Sequence, residues 1–515
     1  MKNSRPTVYF NAQVFTSSPS PSSAQAFAVQ DGKFIAVGTN RYVEETVGQA
    51  AEYIDLGRAT VTPGFIDCHV HLIDYGIMMQ NSSDLAGCRS LEELQVRLRA
   101  HLEDFGQQNP DQWILGHGFD QELFDPPVFP TRQDLDKVSV DRPIVIKRIC
   151  GHAAIGNTRA FELCKGTLKR EEGRQTGLVT EDDLVVLLQA APKPSIAMVD
   201  QAIELAGGLA ASLGITGVHC LLGDISHLDR LLALEAEGRL PIRFLAQVPY
   251  EQMDEAAAMG YYTGCRESQW LEVGAAKIFA DGSTGARTSA LREDYADDPG
   301  NRGLLLIDQP QLTDMIKHAQ SHGFQTAIHA IGDHAVEVTV NAIEAACAHQ
   351  PNLMRHRVEH ASQMSEKALS KMTRLKIPVA VQPQFILTDF WTRQRVGPER
   401  YRWAYPFKTM LEADVPIGMS SDCYVERLDP YELIYRAWVR DEYSQPEALT
   451  PRETIRAYTM GSAWAGHQEG WTGSIEEGKV ADAVIFREPL FDLSPESILT
   501  LRPERVLIGG RPVVG

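Results

Sequence analysis

The chain has 515 residues, 43% hydrophobic and 23% charged, which reads as two or three folded units of a globular protein rather than a disordered, collagenous or coiled-coil chain. Acidic residues outnumber basic ones by 68 to 49, and the net charge of -19 makes nucleic acid and anionic membrane surfaces poor candidates for its main partner. Eight cysteines, none in a CxxC pair, fit a reducing compartment, and an N-terminus without an apolar h-region adds to the expectation of a cytoplasmic location.

The N-terminal stretch reads as short strands joined by turns, with Asp31-Gly32 between alternating apolar residues as a two-residue hairpin. The C-terminal stretch has the same texture: Ala483 to Phe486 and Arg505 to Ile508 are β-like, and Gly509-Gly510 marks another turn. The two ends are expected to pair into one small domain built from residues 1–62 and 471–515.

Between them, short apolar runs alternate with amphipathic segments, the pattern of parallel βα units. The candidate strands are Val61 to Val70, Ile215 to Leu221, Ile242 to Val248, Val273 to Phe279, Phe324 to His329, His356 to His360, Ile377 to Gln382 and Val415 to Ser421. Eight such strands suit an α/β fold of the (β/α)8 barrel type over residues 63–470. About 145 residues separate His71 from Ile215, too many for one crossover, so an insertion of approximately 80–205 is expected over the barrel mouth. It contains a helix with a capping box, Ser90 with Glu93, and apolar runs at Trp113 to Leu115 and Pro143 to Ile149. The uncharged stretch Leu205 to Gly223 reads as a helix end, a stop at Gly214 and a buried strand, not as a membrane span.

The sharpest local signal is Asp67-Cys-His69-Val-His71 at the end of the first strand. Side chains alternate along a strand, so both imidazoles face the same way and can converge on one ion. Polar residues close several later strands, at the barrel end where active sites lie: Lys277 and Asp281, His329, His360, and Asp422. His329 and His360 are 31 residues apart, one barrel repeat. Singly, each has a bland reading: a hydrogen-bonded core histidine, an N-cap aspartate, a lysine reaching solvent along its stem. Together they point to a metal centre.

The motifs PGFIDCHVH, GHGFD, CGHAAIGN, KIFADGSTGARTSAL, AIHAIGDHAV, HRVEHA, VQPQF, GMSSDCYVERLDP and GSIEEGKVADAVIF, in this order over nearly the whole chain, closely resemble the amidohydrolase superfamily. Within it the likeness is to the amidohydrolase-3 group of N-substituted formamide deformylases and YtcJ-like proteins. The resemblance implies a metal-bearing TIM barrel and a composite β-sandwich from both termini. It also implies His69 and His71 on one metal, His329 and His360 on a second, and Lys277 bridging them as a carbamate, since an ammonium cannot be a ligand. Asp422 would be a further, weaker metal ligand and the catalytic proton shuttle. His152 would orient substrate, and Asp281 and Arg287 would shape the substrate pocket. Relatives often follow this aspartate with a small residue and proline, whereas here Cys423 and Tyr424 follow it.

Such ligands suit Zn2+, two per chain, with Mn2+ or Fe2+ as alternatives. The expected activity is hydrolysis of a C–N bond in an amide, N-substituted formamide or cyclic amide by water that the metal acidifies to a pKa of about 7. The alternatives are a deaminase or another metal-dependent reaction on the same scaffold, and a catalytically silent regulatory barrel. The expected partners are a small-molecule amide substrate and, as assembly, a homodimer.

Overall fold

The computed structural model describes residues 5–20, 23–148, 153–169, 172–180 and 182–514, which fall into two compact units. The larger joins Met1–Ile73 to Ile203–Gly515, and the smaller is Asp74–Ala202.

The larger unit is built on an eight-stranded parallel sheet: β1 (Phe65–Val70), β2 (Ile215–Leu221), β3 (Arg243–Pro249), β4 (Leu271–Phe279), β5 (Thr326–Ala330), β6 (Arg357–His360), β7 (Val379–Val381) and β8 (Ile417–Met419). Neighbours in sequence are neighbours in the sheet, and outer helices such as Asp333–Ala346 join them, the arrangement of a (β/α)8 barrel. No regular ladder joins β8 to β1. Instead the chain just beyond β8 clasps the end of β1: Asp422 N–H donates to His69 O at 3.0 Å, and His71 N–H donates to Cys423 O at 2.6 Å. The strands are almost wholly buried, as strands covered on both faces must be.

The expected strand Val61 to Val70 is two strands. Thr60–Pro63 belongs to a second sheet, and β1 begins two residues later. Gly64 sits between them because there is no room for a side chain: a Cβ would stand 2.1 Å from Thr216 Oγ1. Before β2, Gly214 ends the incoming helix at φ 91°, and a Cβ there would press on Val484 and Phe65.

The chain termini form two further sheets. One has four strands, and the other has six, in which Thr60–Pro63 pairs antiparallel with Ala483–Phe486 and so brings the two ends of the chain together. Their shared core packs Phe27 against Tyr9 and Phe34, with Val61, Ile485 and Leu507 around them. Asp31 (φ 49°) and Gly32 (φ 81°) make the hairpin turn between Ala26–Gln30 and Lys33–Gly38. The sandwich is tied to the barrel by a buried ion pair: Arg243 at the start of β3 donates twice to Asp482, at 2.6 and 2.8 Å, and the N–H of Gly509 reaches the same carboxylate at 2.7 Å.

The smaller unit has its own five-stranded sheet, with Ile114–Phe119 and Ile144–Arg148 parallel at its centre. Its long helix, Leu91–Gln108, begins at Ser90, whose hydroxyl accepts the N–H of Glu93. The expected capping box is only half formed, because the Glu93 carboxylate takes the N–H of Arg89 rather than that of Ser90. Among the described residues no helix is long and apolar enough to cross a membrane.

Candidate metal centre

Parallel register brings the strand-end residues together: Phe279 of β4 lies opposite His329 of β5, and His329 lies opposite Glu359 of β6. Alternation along β1 aims His69 and His71 to one side, and their rings stand 5.9 Å apart. His69 is also 5.0 Å from the ring of His360, which is 4.5 Å from that of His329. Lys277 Nζ is buried 3.5 Å from His69 Nε2 and 4.9 Å above the Phe279 ring. Asp422 Oδ1 lies 3.3 Å from His69 Nε2 and 3.4 Å from His71 Nε2. One ligand atom from each of His69, His360 and Asp422 falls within 4.8 Å of the other two.

Strict alternation would aim His360 away from Glu359, its neighbour on β6. The backbone at His360 has φ 75°, that at Ala361 47° and that at Asp422 57°. Left-handed conformations in non-glycine residues cost about 1–3 kcal/mol each and persist where function is served by them. Here they bend the chain at the ends of β6 and β8. Asp67, just ahead of the HxH pair, holds the second bend, because its carboxylate accepts the N–H of Ser421 at 3.1 Å.

Three of the four histidines have one ring nitrogen anchored and the other left over. Nδ1 of His69 meets the Glu359 carboxylate, Nε2 of His329 reaches Gly282 O at 3.1 Å, and Nδ1 of His360 reaches Gln382 Oε1 at 2.8 Å. An acceptor on one nitrogen selects the tautomer whose other nitrogen presents a lone pair, as metal-ligating imidazoles require. Burial, then Lys277, lowers His329 to about 3, and burial drives His360 well below its ordinary value, so both rings are neutral at pH 7. Burial also lowers Lys277 to about 8 against the pull of Glu359 and Asp422, so its amine gives up its proton far more readily than an exposed lysine does. Burial favours protonation of Asp422, but His69 outweighs it with the other imidazoles and holds the carboxyl well below its usual range.

The buried Asp422 Oδ1 has no hydrogen-bond partner among the described residues. Leaving a buried carboxylate oxygen unmatched is costly, and a cation between it and the imidazoles would remove that cost. The donor set therefore fits a divalent metal ion.

Glu359 carries no signal that singles it out in sequence. It is fully buried, held by Arg357 Nε at 2.6 Å, while Arg357 also reaches His219 Nδ1 and Cys68 O, both at 2.9 Å. The only sequence hint is Arg357-Val-Glu359, two opposite charges two apart in a strand, which puts both on one face. Asp281 accepts three backbone N–H groups, from Ala290, Ile331 and Gly332, at 2.9–3.0 Å. Its carboxylate thus braces the loops after β4 and β5. Arg287 is paired with Asp297 at 2.7 Å. His152 lies outside the described residues.

Comparison with known proteins identifies the family. Residues 52–514 match the family model described as "Amidohydrolase family". The protein YtcJ of Bacillus subtilis (strain 168), an amidohydrolase by name, is 31% identical across 98% of this chain and 99% of its own. The N-substituted formamide deformylase of Arthrobacter pascens is 25% identical across 99% of this chain and 98% of its own. The crystal structure of a metal-dependent hydrolase from Pyrococcus furiosus superposes with a TM-score of 0.83 at 31% identity, covering 95% of this chain and all of that one. With a family match over nearly its whole length and a hydrolase fold around a buried His/His/Asp cluster, this chain belongs to the amidohydrolase family.

Proposed function

We propose that this metal-dependent hydrolase cleaves the C–N bond of an amide, N-substituted formamide or cyclic amide. The observation that carries the reading is the convergence of imidazoles, Lys277 and an unmatched carboxylate oxygen at the C-terminal end of one barrel. His69, His71, His329 and His360 would hold divalent ions, Zn2+ first among them, with carboxylated Lys277 between the two pairs. When bound, such an ion supplies a Lewis acid and an acidified water.

The chain's own residues do the rest. Asp422 takes the proton of the attacking water on Oδ1 and returns it to the leaving nitrogen, since an amine leaves poorly unless protonated. Glu359 keeps His69 turned so that Nε2 faces the reacting side. Phe279 and Tyr424, each close to half exposed, put aromatic rings 5.4 Å from His329 and 5.7 Å from His71. They favour an apolar substituent beside the scissile bond. The deformylase likeness puts N-substituted formamides first among the classes to try.

The test is a screen of the metal-loaded protein against N-formyl, N-acyl and cyclic amide panels, with aminated heterocycles alongside. Turnover of an amide supports the reading. Release of ammonia from the heterocycles alone would replace it with a deaminase, and no turnover in any panel would favour a silent barrel.

A further inference from the structure

A second group of metal-type ligands lies on the solvent-exposed surface, built from residues that play no part in the barrel mouth. His318 sits in the last turn of the helix Gln309–Ser321 that follows β4, and His322 is its C-cap. Positions i and i+4 share one face of a helix, and the two rings stand 4.6 Å apart at 66°. Asp254, in the first turn of the helix Met253–Ala258 that follows β3, brings Oδ1 to 2.7 Å from His318 Nε2. One ligand atom from each of the three lies within 4.8 Å of the other two.

We propose that Asp254, His318 and His322 form a surface binding site for a divalent transition-metal ion such as Zn2+, Ni2+ or Cu2+. His322 Nδ1 lies 3.0 Å from His318 O and donates to it, which leaves Nε2 with a lone pair directed away from the helix. His318 presents Nε2 to the Asp254 carboxylate, and an ion inherits both as ligands when the Nε2 proton leaves to solvent with Nδ1 protonated. Two imidazoles and one carboxylate leave coordination positions for water, and imidazole selects borderline metals over Ca2+ or Mg2+. The partial negative charge at the C-terminal end of a 13-residue helix adds to the attraction for a cation. All three side chains are exposed, so their rearrangement around an ion meets little packing resistance. Because its ligands come from the helices after β3 and β4, the ion would clip two consecutive segments of the barrel wall together.

The experiment is a titration of the untagged, full-length protein with Ni2+ after Zn2+ loading of the barrel mouth and removal of surface-held Zn2+ with a weak chelator. One further ion per chain is expected, together with a raised thermal midpoint. His318→Ala/His322→Ala should lose both, and Asp254→Asn should bind at least several-fold more weakly, while His349→Ala, at an unrelated exposed histidine, behaves as wild type. Cu2+ in the same site should show spectroscopic coupling to two imidazole nitrogens. Wild type without a further ion, a double variant that binds as tightly, or coupling to fewer than two nitrogens would each overturn the proposal. Hydrolytic activity of the double variant should be unchanged, which separates this site from the reaction at the mouth.

Discussion

Glu359 and His69 share a buried hydrogen bond in which one carboxylate oxygen takes the Nδ1–H of the imidazole while the other is held by Arg357 Nε at 2.6 Å. Burial opposes the charge on Glu359, but Arg357 and His69 outweigh it and keep the carboxyl below its ordinary range. Glu359 is therefore a positioning residue, acting on the centre through His69. Glu359→Gln removes the charge that fixes the tautomer and should lower metal affinity by about 10–100-fold. It also leaves Arg357 without its counter-charge, so the denaturation midpoint falls too. Metal retained after dialysis against a weak chelator measures the first effect, and unchanged retention in the folded variant would refute the role.

Metal removal should abolish turnover, and elemental analysis of active protein should find about two ions per chain. Lys277→Ala should lose metal, and short carboxylic acids should restore part of the activity by standing in for the carbamate. Full activity in chelator would remove the central claim, and a bare amine at Lys277 in a metal-loaded crystal structure would remove the bridge.

Asp422→Asn keeps the shape of the side chain and removes its basic oxygen. It should fold, keep most of its metal and lose on the order of 10² to 10⁴ in kcat. A metal-loaded variant that turned over its best amide at near the wild-type rate would exclude Asp422 as the shuttle.

The Arg243–Asp482 pair, with both side chains more than nine-tenths buried, couples the barrel to the sandwich. Asp482→Ala strands a buried guanidinium and should cost about 3–5 kcal/mol in unfolding free energy. Arg243 also packs against the Trp270 ring at 4.7 Å, so replacing both partners with apolar residues should recover much of the loss. Equal midpoints for wild type and Asp482→Ala would contradict the assignment.

Glu272 gives a pH signature away from the metal. Burial raises its carboxyl to about 7, with the Gln468 amide pulling the other way. A raised carboxyl binds its proton more tightly in the folded state, so its contribution is fully present below the unfolded value near 4.5 and is lost as pH rises through about 7. Between pH 5 and 8 wild type should lose roughly 1–3 kcal/mol that Glu272→Gln does not. Urea titrations across that range decide it, and parallel curves for the two proteins would refute the assignment.

Much of the fold was legible because it rests on local rules. Period-two alternation sends His69 and His71 to one side, and apolar runs spaced by about one βα repeat mark the strands. Asp31-Gly32 and Gly509-Gly510 declare their turns, since positive φ is cheap there. His, Lys and Asp gathered at strand ends point to a metal chemistry by residue type alone.

What only the tertiary structure decided depends on contacts between residues far apart in the chain or on backbone bends that no local rule requires. Glu359 looks like any strand glutamate until folding sets it against His69, 290 residues away. The positive φ at His360 and Asp422 breaks the alternation that sequence reasoning relies on, and tertiary contacts hold it in place. That Asp281 takes three backbone donors and Arg287 pairs with Asp297 is likewise set by the fold, whatever part the two play in the expected substrate pocket. Val61 to Val70 divides between two sheets at Gly64, where Thr216 leaves no room for a side chain, a steric fact invisible along one dimension. Propensity and pattern select the strands because they act over a few residues, while the tautomers, the bends and the partners of each ligand are set by packing, which acts across the whole barrel.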